Sequence, residues 1–381
     1  MAKEINVLAI SYGRDLFDAD NLERKRMEMC ATTVGEYHMI VFTRRTDGLS
    51  VVHAQNGLII HPTNSSTRIH MLYDAVRLGG ALLKGRVGQW VITTQDPFEA
   101  GLVGYILSKR YKVALNMQEH ADFFSNSFWR KESMLNRVRF ILGKWLLRKA
   151  DTVRVVSKRM ESAMKRIGVA PEKILRLAVR TDVRATEDTT ENIDLHTQHP
   201  EASVIILSMA RFVPQKNLQM LIEAFSLVHK QNSQALLVLV GDGAEKQKLQ
   251  ELVTQKHLEK SVVFESWTDT PQAYMQSADI YALTSNYEGW ARVLIEAMLS
   301  GTPVVTTDVG CAGEVLLDEK HGFVVPVGDT ERFAQRLMEL MNDGELRHRF
   351  ASTGKSDGSE AHTTTEAYVQ AWADVFAKTL G

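Results

Sequence analysis

An alternation that occurs twice constrains this chain more than any other feature. Six short runs rich in Val and Ile follow one another in the first half: INVLAIS, YHMIVFTR, GLIIH, WVITTQ, KVALNM and TVRVVS. Amphipathic stretches separate several of them, for example 69–84 and 99–109. The runs are too short for helices and read as buried strands. Strands that alternate with helices imply a parallel sheet covered by helices. The pattern stops at RATEDTTENIDLHTQHPEAS (184–203), which is polar, acidic and nearly without large apolar residues, the composition of a linker.

The alternation then restarts with VIILSMA, ALLVLVGD, SVVFES, IYALTS, PVVTTD and GFVVP, and helices are expected near 217–230, 244–257, 271–277 and 290–300. From about residue 329 the chain reads as helical, and AYVQAWADVFAKTL forms an amphipathic terminal helix. The expected fold class is α/β, with two Rossmann-like domains at 1–183 and 204–360, a linker at 184–203 and a terminal helix within 361–381. A length of 381 residues suits two domains of ordinary size. Two such domains leave a cleft between them, and ligands of open α/β sheets sit beyond the carboxyl ends of the strands.

Charge is divided unevenly. Residues 1–184 hold 30 Lys and Arg against 18 Asp and Glu, whereas residues 185–381 hold 15 against 28. The two halves are expected to face different partners, with the basic half suited to an anionic one. No nucleic-acid motif accompanies the basic residues, so nucleic acid is not expected as a partner. The N-terminus lacks a signal-peptide pattern and no apolar run approaches bilayer length. Cys30 and Cys311 fit no metal-ligand spacing, so a cytoplasmic location is expected.

In NYEGWARVLIEAM (286–298), Glu288 and Glu296 stand eight positions apart. In one helix they would share no face. The spacing makes sense if Glu288 lies in the turn after IYALTS and Glu296 in a helix running from about Trp290 to Ser300, closed by Gly301. The N–H groups of Ala291, Arg292 and Val293 then form a phosphate site at the positive end of the helix dipole. A carboxylate on each side suits the hydroxyls of a ligand built as sugar, diphosphate and ribose. The competing reading is a solvated Glu288 and an Arg292–Glu296 pair at i, i+4. In SMARFVPQKNLQM, Arg211 ends a strand and Lys216 opens the next helix. A lysine there opposes the helix dipole unless an anion is present. Together the two cations suit a diphosphate; otherwise they are ordinary surface cations. VGDGAE (240–245) is a glycine turn after a strand, and no G-x-G-x-x-G follows the first strand of either half, which argues against a dinucleotide oxidoreductase.

The ordered set ARFVPQKN, LVGDG, SADIYALTSNYEGWARVLIEAMLSGTPVVTTDVG and GFVVPVGD, over about 204–330, resembles the family-4 retaining glycosyltransferases of the GT-B fold. The likeness continues more loosely through KADTVRVVSKRMESAMKRIGV (149–169). It implies that Arg211 and Lys216 neutralise a donor diphosphate and that Glu288 contacts the donor hexose, helped by backbone at Gly289, Trp290 and Ala291. It also implies that Glu296 holds ribose hydroxyls and that Gly241 and Trp267 lie near the base. The terminal helix is expected to pack back on the first domain. A UDP- or GDP-sugar is the implied donor, a glycan or lipid-linked glycan the acceptor, with no metal and no cofactor.

In the first half, His120 in NMQEHADFF follows a strand, and the family has a histidine in a similar loop close to the donor sugar. Asp122 and Glu119 are weaker candidates. The first strand ends in SYGRDLFDADN, where family members carry a glycine-rich loop. This chain has only Gly13, followed by Arg14 and Asp15, as acceptor-side candidates. The DAD at 18–20 reads as a helix start, with Asp20 as N-cap and Glu23 three residues on. Residues 128–149 carry seven cations and one anion. On a helical wheel Met134, Leu135, Val138, Ile141, Leu142, Trp145 and Leu146 form one apolar arc, read as core-facing. Phe140 and Leu147 fall opposite, beside Arg137, Lys144 and Arg148, an arrangement that suits peripheral contact with an anionic membrane. The alternative is a basic surface helix.

The resulting expectation is a retaining hexosyltransferase in which the leaving phosphate takes the acceptor proton. A GT-B sugar-nucleotide epimerase and a non-catalytic nucleotide-sugar-binding protein are the alternatives.

Overall fold

The computed structural model describes residues 5–181, 193–360 and 364–381. The chain forms two compact units, Met1–Ala178 with Thr363–Gly381, and Val179–His362.

The first unit holds an eight-stranded sheet: β1 (Ile5–Ser11), β2 (Tyr37–Val41), β3 (Val52–His53), β4 (Leu58–Pro62), β5 (Gln89–Thr94), β6 (Ala114–Glu119), β7 (Thr152–Val155) and β8 (Ile174–Arg176). The order is β3-β4-β2-β1-β5-β6-β7-β8, parallel except for the β3–β4 pair. The helices are α1 (Leu22–Ala31), α2 (Arg68–Leu83), α3 (Glu99–Tyr111), α4 (Phe128–Glu132), α5 (Met134–Lys149) and α6 (Lys158–Arg166). All six expected strands form. The short β3 and β8 carry too few residues to show a period of their own.

The second unit contains α7 (Leu195–Gln198), β9 (Val204–Met209), α8 (Leu218–Gln231), β10 (Ala235–Val240), α9 (Lys246–Gln255), β11 (Val262–Glu265), α10 (Pro271–Ser277), β12 (Ile280–Leu283), α11 (Arg292–Ser300), β13 (Val304–Thr307), β14 (Gly322–Val325), α12 (Thr330–Asn342) and α13 (Gly344–Glu360). Its sheet runs β11-β10-β9-β12-β13-β14, with every pair parallel. The order reverses between β9 and β12, and loops leaving the carboxyl ends of those two strands therefore diverge to form a crevice.

A final helix, α14 (Thr365–Leu380), returns to the first unit. Tyr368, Trp372 and Phe376 enter one core with Ile5, Val7 and Ala9 of β1 and Met39 and Val41 of β2. Burying three such rings is worth on the order of 6 kcal/mol before the entropy of ordering the helix is subtracted. Polar contacts set its position: Thr379 Oγ1 lies 2.6 Å from Thr152 Oγ1, and Arg154 Nη2 donates to Tyr368 Oη at 3.4 Å.

Several expectations change. Asn21, not Asp20, caps α1; its Oδ1 accepts from the N–H groups of Glu23 and Arg24 at 2.9 and 3.2 Å. Asp20 instead pairs with Lys25 in solvent. Of the expected linker, 184–192 falls outside the described residues. The remainder belongs to the second unit: Leu195 is fully buried and its N–H donates to Ser277 Oγ at 2.5 Å. Residues 128–149 form two helices broken at Ser133, whose Oγ caps α5 through the Asn136 N–H.

The wheel of α5 is turned relative to expectation: of the arc read as core-facing, Leu146 is fully buried and Leu142 half-buried, as expected, but the other five members are not. Leu147 is fully buried, and Phe140 packs on Phe124 with ring centroids 5.1 Å apart. Met134, Leu135, Val138, Ile141 and Trp145 face solvent. The reason lies at Gly143, where an added Cβ would sit 2.8 Å from Phe98 Cε1 and 3.0 Å from Phe124 Cζ. Two aromatic rings occupy that space, so the helix docks by its smallest residue rather than by its widest apolar arc.

Candidate donor site

The loops after β9 and β12 are laced together at the point where the sheet order reverses. Asn286 N–H donates to Gln215 O at 2.8 Å, Asn286 Nδ2 to Pro214 O at 3.1 Å, and Gln215 Nε2 to Tyr287 O at 3.0 Å. Thr284 Oγ1 donates to the carbonyls of Lys216 and Asn217 at 3.1 and 3.0 Å. Lys216 ends a 3₁₀ turn, Pro214–Lys216, and Asn217 in left-handed conformation caps α8. Lys216 is thus two residues before the helix rather than in its first turn.

The counter-ion of Lys216 is Glu288. Lys216 Nζ is paired with Glu288 Oε1, which also accepts from Ser285 Oγ at 2.8 Å. Ser285 is held in turn through its carbonyl, which accepts from Thr307 Oγ1 at 2.7 Å. Glu288 is only 9% exposed, so it is no solvated turn residue. Arg211 lies on the same β9 loop, exposed, and forms no ion pair among the described residues.

Helix α11 starts at Arg292, two residues later than expected, because Ala291 is left-handed (φ 55°, ψ 60°) and acts as N-cap. Its side chain offers no cap. The Arg292 and Val293 N–H groups donate to no acceptor among the described residues, as at any uncapped helix start. Trp290 and Ala291 are buried against the loop after β13: the Cys311 N–H donates to Trp290 O at 3.0 Å, and a Cβ on Gly310 would meet Ala291 Cβ at 2.6 Å. Gly289 is buried beside them.

Glu296 lies in the second turn of α11 and is partly exposed. Burial pushes its carboxyl up from the ordinary range and the Arg292 charge pulls it down. The expected alternative of a direct Arg292–Glu296 ion pair is not among the described ones. Both Glu296 and Glu288 act on the Tyr281 phenol, which burial already raises and which donates to Met209 O at 3.1 Å. Glu288 thus stands in the loop after β12 and Glu296 on the helix that follows it.

Gly241 (φ 145°) and Gly243 (φ 155°) close this side. A Cβ on Gly241 would fall 2.0 Å from Ala210 O, and one on Gly243 2.4 Å from Phe212 O. Only glycine lets the VGDG loop approach the β9 loop so closely. Trp267 is 60% exposed on the loop after β11, the edge strand.

In the first unit, His120 Nε2 lies 2.9 Å from Gln118 Oε1. That oxygen also accepts from Arg154 Nη1 at 2.8 Å, while Gln118 Nε2 donates to Thr93 Oγ1 at 2.7 Å. The amide orientation makes Oε1 the acceptor, so Nε2 of His120 carries the hydrogen and Nδ1 is the free acceptor. Burial, then Arg154 and Arg26, push the imidazole down to about 3, and it is neutral at ordinary pH.

Asp122 is buried and left-handed (φ 59°) and accepts from Ser125 Oγ. Burial raises its carboxyl, and burial together with Asp122 raises that of the fully buried Glu119. The Gly13 N–H donates to Ser11 Oγ at 3.0 Å, Arg14 lies 3.5 Å from Asp47, and Asp15 is exposed in a 3₁₀ turn.

Sequence reasoning missed Asp96, at the end of β5 where this sheet also reverses its order. Burial pushes its carboxyl up to about 7, and its Oδ1 accepts from the Phe98 N–H at 2.6 Å. The signal was available in TTQDP, a carboxylate directly after a buried strand. Ser285 was missed as well, since a serine in a loop has no pattern of its own.

Two α/β units with parallel sheets, each reversing its strand order, and a terminal helix that returns to the first unit define the GT-B class. Residues 190–357 match the family model described as Glycosyl transferases group 1, and residues 19–179 match the one described as Glycosyl transferase 4-like domain. The chain belongs to this glycosyltransferase family.

A poly(ribitol-phosphate) alpha-N-acetylglucosaminyltransferase of Staphylococcus aureus is 29% identical over 180 residues, 47% of this chain and 36% of that protein. A lipopolysaccharide core biosynthesis glycosyltransferase, LpsE, of Rhizobium meliloti is 30% identical over 174 residues, 45% of this chain and 50% of that protein. The chain thus spans half or less of the length of these curated relatives. Among solved structures, sucrose-phosphate synthase of Thermosynechococcus elongatus superposes with a TM-score of 0.79 at 21% identity, over 98% of this chain and 99% of that one. HepE of Anabaena in complex with UDP and glucose gives 0.73 at 19%, again over 98% and 99%.

Proposed function

We propose that the protein is a retaining hexosyltransferase that moves a sugar from a UDP- or GDP-linked donor, bound by the second unit, to a glycan or lipid-linked glycan acceptor, bound by the first. The observation that carries this reading is the Lys216–Glu288 pair beside the uncapped start of α11. One group is suited to a phosphate oxygen and the other to a sugar hydroxyl, and the pairing holds both in place before a ligand arrives. Relatives add weight: HepE is described in complex with UDP and glucose, and a Campylobacter jejuni relative acts on a diphospho-undecaprenol-linked sugar.

In this mechanism Lys216, Arg211 and the N–H groups of Arg292 and Val293 stabilise the leaving diphosphate as its negative charge develops. They supply there the positive charge that a divalent cation provides in other phosphate sites. Glu288 orients the hexose and Glu296 the ribose hydroxyls. The glycosidic oxygen of the departing diphosphate takes the acceptor proton, and the acceptor oxygen bonds to the anomeric carbon on the face the phosphate leaves. His120, neutral with a bare Nδ1, accepts a hydroxyl hydrogen bond rather than carrying charge. Two buried free thiols, Cys30 and Cys311, suit a reducing cytoplasm.

The test is diphosphate release from a panel of UDP-, GDP- and ADP-sugars, with and without a chelator, alongside thermal shift with the same panel. Slow release from one donor, unaffected by chelation, is expected. A donor panel that neither reacts nor stabilises the protein overturns the reading, and isomerised sugar nucleotide without an acceptor replaces it with epimerase chemistry.

A further inference from the structure

Five large apolar side chains of α5 stand in solvent. Met134, Leu135, Val138, Ile141 and Trp145 are 70, 52, 60, 71 and 44% exposed. Their positions along the helix, i, i+1, i+4, i+7 and i+11, place them on one stripe. The opposite side is occupied by Asn136, Gly143, Leu146 and Leu147, all buried. The helix is therefore fully docked and still leaves its wider apolar face uncovered. The face extends onto α3, where the Tyr105 ring meets Trp145 at 5.0 Å and Ile106 is 40% exposed. Contiguous exposed apolar surface of this kind marks an interaction site.

Charge indicates what covers it. Arg137, Lys144 and Arg148, at i, i+7 and i+11, line one border of the stripe, and none forms an ion pair among the described residues. On α3, Lys109 lies over the Tyr105 ring at 5.6 Å and Arg110 is exposed beside it. The neighbouring Arg139 is different: it is neutralised by Glu99 at 2.6 Å.

We propose that this face docks onto an anionic lipid bilayer, the apolar stripe entering the boundary between headgroups and acyl chains and the free cations meeting lipid phosphates. A second copy of the chain fits poorly, because a symmetric contact sets the two cation rows against each other. Nucleic acid or an acidic protein matches the cations and leaves the stripe unexplained. Among the described residues no helix is long and apolar enough to cross a membrane, so the contact is peripheral. The docking needs none of the donor-site residues, and either reading can fail without the other.

The test is co-sedimentation of the full chain with phosphatidylglycerol–phosphatidylcholine vesicles and with phosphatidylcholine alone, at low and high salt. Binding is expected on the anionic vesicles and is expected to weaken with salt. Arg137→Glu/Lys144→Glu/Arg148→Glu is expected to lose about 100-fold of that binding, on the scale of membrane-adjacent cations. Val138→Asp/Ile141→Asp is expected to lose at least about tenfold at either salt concentration. Arg137, Val138, Ile141 and Arg148 are exposed and Lys144 is half-buried, so melting temperature and donor-induced thermal shift should hold. A chain that ignores anionic vesicles at low salt overturns the proposal, as do both variants binding like the parent. A concentration-dependent dimer in sedimentation velocity, abolished by Val138→Asp/Ile141→Asp in a chain that binds no vesicles, assigns the stripe to a second copy instead.

Discussion

Lys216 and Glu288, 72 residues apart, meet as an ion pair across the loops of β9 and β12, with side chains only 17 and 12% exposed. Ser285 holds the carboxylate from its other side. A pair this enclosed costs desolvation, and removing one partner leaves the other charge poorly solvated. The arrangement holds a cation and an anion side by side at a helix N-terminus, which suits a ligand carrying both phosphate and hydroxyls.

Lys216→Ala is expected to weaken donor binding by about tenfold or more, from the loss of a charge-assisted contact. It is also expected to cost about 1–3 kcal/mol of stability, less than a fully buried pair because solvent screens part of the charge. The double variant Lys216→Ala/Glu288→Ala should be destabilised by less than the sum of the single ones. Calorimetric titration and urea unfolding measure both effects, and additive stabilities with unchanged affinity would remove the pair from the site.

Glu296→Gln tests the other carboxylate. Burial already raises this group, so the neutral isostere should leave stability unchanged or slightly higher. Donor affinity should fall by about tenfold, the weight of one hydrogen bond to a charged group. An affinity equal to the parent's would place the ribose elsewhere.

Glu288 and Glu296 also show how much of this site can be read in a chain. Their spacing announced one residue in a loop and one in a helix, because eight positions of continuous helix cannot serve one ligand from both ends. The pairing with Lys216 was not legible. It depends on β9 and β12 being neighbours, and strand order is decided by which crossovers pack, not by any local pattern.

Gly241→Ala is expected to destabilise the second unit by about 3 kcal/mol or more, combining left-handed strain with overpacking. The added methyl would meet Ala210 O at 2.0 Å, a backbone atom that cannot rotate away. Gly48→Ala is the control: its φ of 64° carries the strain but nothing lies within 4 Å. Similar unfolding midpoints for the two variants would show that the close approach contributes nothing.

Asp96 sets a pH dependence with a definite sign. Burial raises its folded carboxyl from about 4 to about 7, so between those values the folded state binds more protons than the unfolded one. Stability therefore falls as pH rises through this window, by on the order of a few kcal/mol, and levels off above it. Asp96→Asn can keep the acceptor for the Phe98 N–H, and it should flatten the profile by stabilising the protein chiefly at the alkaline end. Parallel melting curves from pH 5 to pH 8 for the parent and the variant would show that the carboxyl is solvated.

By itself the sequence determined the two alternating α/β layers and the strands long enough to show their composition. It also determined the glycines that only a tight loop tolerates and the ordered motif set of the second unit. These are local properties: a run of Val and Ile, a turn and a helical period each act within a dozen residues. The tertiary structure decided which strands adjoin, that Lys216 finds Glu288, that Asn21 and not Asp20 caps α1, and which side of α5 is outside. The last of these had two consistent answers on a helical wheel. Phe98 and Phe124 chose between them, because their rings leave room at Gly143 for a backbone hydrogen and nothing larger.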